Sequence, residues 1–121
     1  EKNVGIVRSA EGLQNGIDEL NALSKKLTNL RTTGSRKYNP GWHLCLDLHN
    51  MIIASKAVAS AALERTESRG AHTRLDYPNY DDVFETLNII IRKSPDSMSV
   101  VRSPLTKMPS DLSDFVQKEA V

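Results

Sequence analysis

The sequence predicts a mainly α fold: an antiparallel helical bundle, then a β-hairpin and a short terminal helix. Three observations carry that prediction. Leucine and isoleucine recur at spacings of three and four from Leu13 to Leu30. A second stretch, Trp42 to Leu63, is apolar around most of a helical circumference. Two β-prone runs, Asn88 to Lys93 and Met98 to Arg102, flank Ser94-Pro95-Asp96-Ser97, where Pro at the second position favours a type I-like turn.

Val4, Ile6 and Val7 form a short apolar patch before Ser9, which can cap a helix carrying Glu11 in its first turn. Leu13, Ile17, Leu20, Leu23, Leu27 and Leu30 then make a seam, while Gln14, Asp18, Lys25 and Lys26 lie outside it. Such a seam is core far more often than a dedicated partner site. Gly12 and Gly16 weaken the start of this helix. Arg31 to Asn39 is polar and suits the connection of an antiparallel helical hairpin.

Asn39 and Pro40 fit the start of the second helix. Leu44, Leu48, Met51, Ile52 and Val58 fall on one side and Leu46, Ile53, Ala57 and Ala61 on another, so this is read as the central, buried helix. It is expected to stop at Glu67-Ser68-Arg69-Gly70, with Gly70 taking the left-handed conformation that closes a helix. Pro78 keeps the following stretch extended or turned. Residues 83–87 read equally as a helical turn or the lead into a strand. The hairpin should lay Ile89, Ile91 and Val100 on the helices, because a lone hairpin is marginal. Pro104 and Pro109 break the chain, and Ser110 and Asp111 can cap a last helix carrying Leu112, Phe115 and Val116. Residues 1–82 are thus read as bundle and charged loop, and residues 83–121 as hairpin and tail, within a single domain.

Sixteen basic residues against fifteen acidic ones leave a net charge of +1, which gives no electrostatic case for nucleic acid or an anionic membrane. The single cysteine, Cys45, permits no internal disulfide and reads as a small buried hydrophobe, in keeping with a cytoplasmic setting. Asp47, His49, Asn50 and Lys56 interrupt the most apolar stretch, so direct membrane insertion is not expected. Opening on Glu1 with neither an initiator Met nor a signal peptide, the chain is expected to be a piece of something longer. His43 and His49, six residues apart, lie about 240° apart around a helix and do not converge on a metal. His43 and Asp47, one turn apart, can at most form a local hydrogen-bonded pair. A Gly-rich phosphate loop, a nucleophile elbow and a cysteine pair are all missing. No catalytic, cofactor-binding or metal-binding residue is assigned.

Charge is densest after the second helix, where Arg65, Glu67, Arg69, His72, Arg74 and Asp76 lie within a dozen residues. Composition alone reads this as a solvated turn with a few ion pairs. Arginines at a helix C-terminus oppose its dipole favourably and can hold a second segment through bidentate carboxylate contacts.

The string Arg65-Thr66-Glu67-Ser68-Arg69-Gly70-Ala71-His72, with Arg74, Asp76-Tyr77-Pro78 and Asp81-Asp82, resembles the signature of the C-terminal domain of succinate dehydrogenase and fumarate reductase flavoprotein subunits. The likeness extends back through Asn50 and Met51 to Val4-Gly5-Ile6-Val7-Arg8, in wording similar to the bacterial, actinobacterial branch. It implies a spectrin-repeat-like bundle whose first helix is truncated here. The parent would be an FAD-dependent oxidoreductase interconverting succinate and fumarate, with FAD and dicarboxylate held by a flavin domain and a capping domain outside these residues. An iron–sulfur subunit would be its partner, and the complex would lie at the cytoplasmic face of the membrane. The role implied for this chain is docking: Arg69, His72 and Arg74 contact the other domains, Gly70 permits the bend, and Asp76 pairs with one of the arginines. An isolated chain would dimerise to cover its exposed apolar surface. L-aspartate oxidase carries a similar Ser-Arg-Gly-x-His, usually with Leu at the position of Ala71, and an autonomous helical interaction module is the other rival reading.

Overall fold

The computed structural model describes residues 2–95, 97–110 and 112. Ser9 is extended, and its side chain accepts a hydrogen bond from the Gly12 amide, opening α1, Ala10–Leu27. Glu11 in the first turn and Lys25 and Lys26 in the last complement the helix dipole. The helix stops at Leu27, short of the Leu30 expected from the seam. Thr28 donates its hydroxyl to the Lys25 carbonyl, and the amides of Asn29 and Leu30 bond three residues back, tightening the end of the helix into a turn.

Asn39 caps α2, Pro40–Glu64, accepting from the Gly41 amide at 3.0 Å while its own amide donates to the Thr33 carbonyl. The other end differs from expectation. Arg65 is already extended, so α2 ends at Glu64, three residues before Glu67, and Gly70, although left-handed at φ 58°, does not terminate it. Gly70 instead opens a two-residue turn whose ends, Arg69 and His72, exchange both backbone hydrogen bonds. A positive φ at the first central position alone has the sign pattern of a type II′ turn, which glycine adopts without steric cost.

α1 packs against α2 around Leu13, Ile52, Ala59 and Ala62, all buried. The segment before α1 crosses it at Gly16, where an added Cβ would sit 3.0 Å from the Val4 side chain. That glycine looked like a helix weakness in the sequence and proves to be a close approach. Burial of α2 is partial, against the expectation of a core helix. Leu44, Met51 and Val58 are 66%, 63% and 54% exposed. α1 and the hairpin cover part of its circumference, and a helix apolar all round needs more neighbours than these.

Two short strands that the sequence did not announce join the ends of this region. β1, Val7–Arg8, pairs in parallel with β2, Thr73–Arg74, with Val7 opposite Thr73 and Arg8 opposite Arg74. Residues 83–87, read as either, divide between the two: Asp81 caps a single helical turn, α3 (Asp82–Glu85), and β3 begins at Leu87. β3 (Leu87–Lys93) and β4 (Met98–Pro104) form the expected antiparallel hairpin, with Ile91 opposite Val100. β4 runs through Pro104, where the chain was expected to break; Pro is tolerated at a strand end because its missing donor is not needed there. Arg102 ties the hairpin to the end of α2 through Glu64 at 2.6 Å and lies over the Phe84 ring. The terminal helix expected to carry Phe115 and Val116 falls outside the described residues.

Candidate functional site

The charged loop from Arg65 to Asp81 is built around two carboxylates. Asp76 receives both ends of the Arg74 guanidinium, Nε at 2.8 Å and Nη2 at 2.7 Å, in a bidentate pair. Arg74 is 1% exposed. Its Nη1 donates to the carbonyls of Ala62, Leu63 and Arg65, groups that the end of α2 leaves without helical partners. The other Asp76 contact is the Ala10 amide at 2.9 Å, in the first turn of α1. One ion pair therefore bonds the negative end of α2 to the positive start of α1, each charge opposing the dipole it meets. The arginine holds the Asp76 carboxyl well below the usual carboxylate range, with the Ala10 amide adding to the effect.

Glu67 is wholly buried. It accepts from Arg65 Nη1, from Arg69 Nε at 3.0 Å and from the Asp81 amide at 3.0 Å. Burial alone would raise its pKa; the Arg69, Asp81 and Arg65 hydrogen bonds outweigh this and lower it to about 2. Each arginine also lies over an aromatic ring: Arg65 on Phe84, Arg69 on Tyr80 and Arg74 on Tyr77. Ser68 closes the loop on itself, accepting from the Arg74 amide and donating to the Tyr77 carbonyl, both at 2.8 Å.

His72 links this loop to β1. Arg8 Nη1 lies 2.6 Å from Nδ1 and the Arg65 carbonyl 3.2 Å from Nε2. Since a guanidinium only donates, Nδ1 must accept, and the ring proton is assigned to Nε2, which donates to the carbonyl. Burial, joined by the positive charges of Arg8, Arg74 and Arg65, pushes the His72 pKa below 6.5 despite the carbonyl contact.

The structure thus brings Arg69, Gly70, His72, Arg74 and Asp76 into one loop, and Asp76 pairs with Arg74. Arg74 faces inward, whereas Asp76 lies at the surface with its side chain 29% exposed, the Arg69 side chain is 35% exposed and Gly70 sits at the outer turn. Sequence reasoning left three participants out of the site. Glu67 carried a signal in its place between Arg65 and Arg69, two residues from each. Arg65 could be read as a helix-end cation. Arg8 fell within the stretch that carries the family likeness, but its pairing with His72 had no signal, because that partner lies 64 residues away.

As chemistry the arrangement is self-contained. Among the described residues, every buried side-chain nitrogen or oxygen has a hydrogen-bond partner, and no group of three His, Cys, Asp or Glu could hold a metal ion. The loop's buried polar groups thus satisfy one another.

A family described as "Fumarate reductase flavoprotein C-term" matches residues 1–113. The succinate dehydrogenase flavoprotein subunit of Coxiella burnetii is 37% identical over 82 residues, covering 67% of this chain and 14% of that protein. The fumarate reductase flavoprotein subunit of Mycobacterium tuberculosis is 32% identical over 108 residues, covering 88% of this chain and 18% of that one. In structure the chain is similar to Mycobacterium smegmatis Sdh1, solved in complex with UQ1, with a TM-score of 0.84 and 38% identity, over 96% of this chain and 20% of that one. It therefore spans a fifth or less of the length of these relatives.

Proposed function

The chain belongs to the family of fumarate reductase flavoprotein C-terminal domains, and from that membership we propose that it is the structural and docking part of an FAD-dependent enzyme interconverting succinate and fumarate. The observation that carries this reading is the charged loop itself. Its Arg74–Asp76 pair and its Glu67 cluster are bonded within the chain, which suits a rigid docking element. Arg69, Gly70 and His72 form the edge that meets the flavin and capping domains, and Arg74 and Asp76 serve docking by fixing the shape of that edge.

The two long helices belong to an antiparallel, spectrin-repeat-like bundle completed by a further helix of the parent. The exposed Leu44, Met51 and Val58 support that reading, since helices seldom leave such side chains in water without a neighbour. FAD is held by the rest of the parent subunit, and an iron–sulfur subunit takes its electrons. No described helix is long and apolar enough to cross a membrane. The parent complex sits at the cytoplasmic face of the membrane.

Purification of this chain alone tests the reading. The account predicts a colourless protein with no succinate-dependent dye reduction, and both flavin absorbance and dye reduction when the chain is part of its parent subunit. Flavin absorbance from the chain alone would show that the cofactor site lies here after all.

A further inference from the structure

On the side of α2 that faces the hairpin lies an open cleft of about 930 Å³, which shares no lining residue with the charged loop. His49, Ile53, Lys56, Ala57 and Ser60 line it from α2, and their spacings of three and four put them on one helical face. Ile91, Lys93 and Met98 line it from the hairpin, with Arg92 beside them. Strand alternation sets Ile91 and Lys93 on the same face of β3. The result is an apolar floor under a basic rim.

Among the described residues the rim charges of Lys56, Arg92 and Lys93 have no ion-pair partner, and no described Asp or Glu lines the cleft. Asp96, next to Pro95 and Ser97 in the sequence, lies outside the described residues. No Phe, Tyr or Trp lines the cleft, so the broad stacking platform that single-stranded nucleic acid uses is missing among the described residues.

We propose that this cleft docks an acidic segment of a separate protein chain, seating one large apolar side chain between Ile53 and Ile91 with flanking carboxylates on Lys56 and Lys93. Charge complementarity selects the acidic partner. A small apolar centre within a charged rim selects a separate chain, because that is the make-up of an interface that forms between independently soluble partners. The face bearing Leu44, Met51 and Val58 is different: it is broad and apolar, the kind of surface that permanent neighbours bury. The proposal goes beyond the docking role of the charged loop and shares no residue with it.

Fluorescence anisotropy of this chain with the labelled peptide Asp-Glu-Glu-Leu-Phe-Asp-Glu-Leu tests it, alongside a version carrying Lys at every acidic position. Saturable binding of the acidic peptide alone is expected, weakened at least about tenfold by combining Lys56→Glu with Lys93→Glu, since reversed rim charges repel the carboxylates. Arg36→Glu, in the connection between the helices, should leave binding unchanged. Absence of binding, equal binding by the double variant, or equal binding of the basic peptide would overturn the proposal. So would loss of a dimer on introducing Lys56→Glu and Lys93→Glu, which would make a second copy the occupant. Hydrogen exchange on the full parent subunit gives an independent arm: protection around Lys56 and Lys93 without any partner would mean that the parent's own domains fill the cleft.

Discussion

Glu67 is an acid placed where water cannot reach it, and it stays charged because two arginines and a backbone amide converge on it. Glu67→Gln should cost on the order of 3 kcal/mol, the lower edge of what breaking a buried pair costs, because Arg65 and Arg69 would then face each other without their anion. Urea unfolding measures it. Acid should act in two stages. His72 has its pKa held below the ordinary 6.5, so its contribution is present above that value and is lost as pH falls through its native pKa. Glu67 is lowered from 4.5 to about 2 and Asp76 is also lowered, so their contributions are present above the ordinary carboxylate range and vanish as pH falls through the native values. The urea midpoint should therefore decline first just below neutrality and again in strong acid. His72→Asn, which keeps an acceptor near Arg8 and does not titrate, should remove the first decline only; a first decline that survives in this variant would mean that another group sets it. Of all this the sequence disclosed the charges and their density. Their pairing stayed hidden, because the same residues in an open turn would be solvated and worth little.

The two long helices are held in register at one end by Arg74 and Asp76, which bond the carbonyls of α2 to the amide of Ala10. A lysine at position 74 keeps the charge but has neither the fork that grips Asp76 nor the reach to three carbonyls. Arg74→Lys should lower stability by about 2 kcal/mol, the scale of lost hydrogen bonds to charged groups, and should speed hydrogen exchange at Ala10 first. Unchanged exchange at Ala10 would mean that the pair does not join the helices. Element by element, the helices and the hairpin were legible because each repeats a period over many residues: threes and fours in α1, β-branching in β3. The end of α2 was misplaced because Gly70 signals a left-handed residue without saying which turn uses it. β1 and β2 were illegible for a simpler reason. Two residues each, joined across the whole helical region, carry no period.

At the scale of the molecule, a small core centred on Leu13, Ile52 and Ala59 supports a helix whose remaining faces are apolar and open. The chain alone should self-associate through them, with a concentration-dependent mass in sedimentation, and Met51→Glu combined with Val58→Glu should return it to a monomer. A monomer at every concentration would mean that these side chains need no neighbour. That open surface was visible in the sequence as a helix apolar all round, although the sequence suggested burial and the structure shows a face still to be covered. The central claim is that the charged loop joins this domain to its parent. Its most direct test is the flavin-to-protein ratio of the full parent subunit carrying Arg69→Ala, with urea unfolding of the same variant in the isolated chain as a check on local folding. The account predicts a lowered flavin ratio while the isolated variant still folds cooperatively; a full complement of flavin in a normally assembled subunit would contradict it.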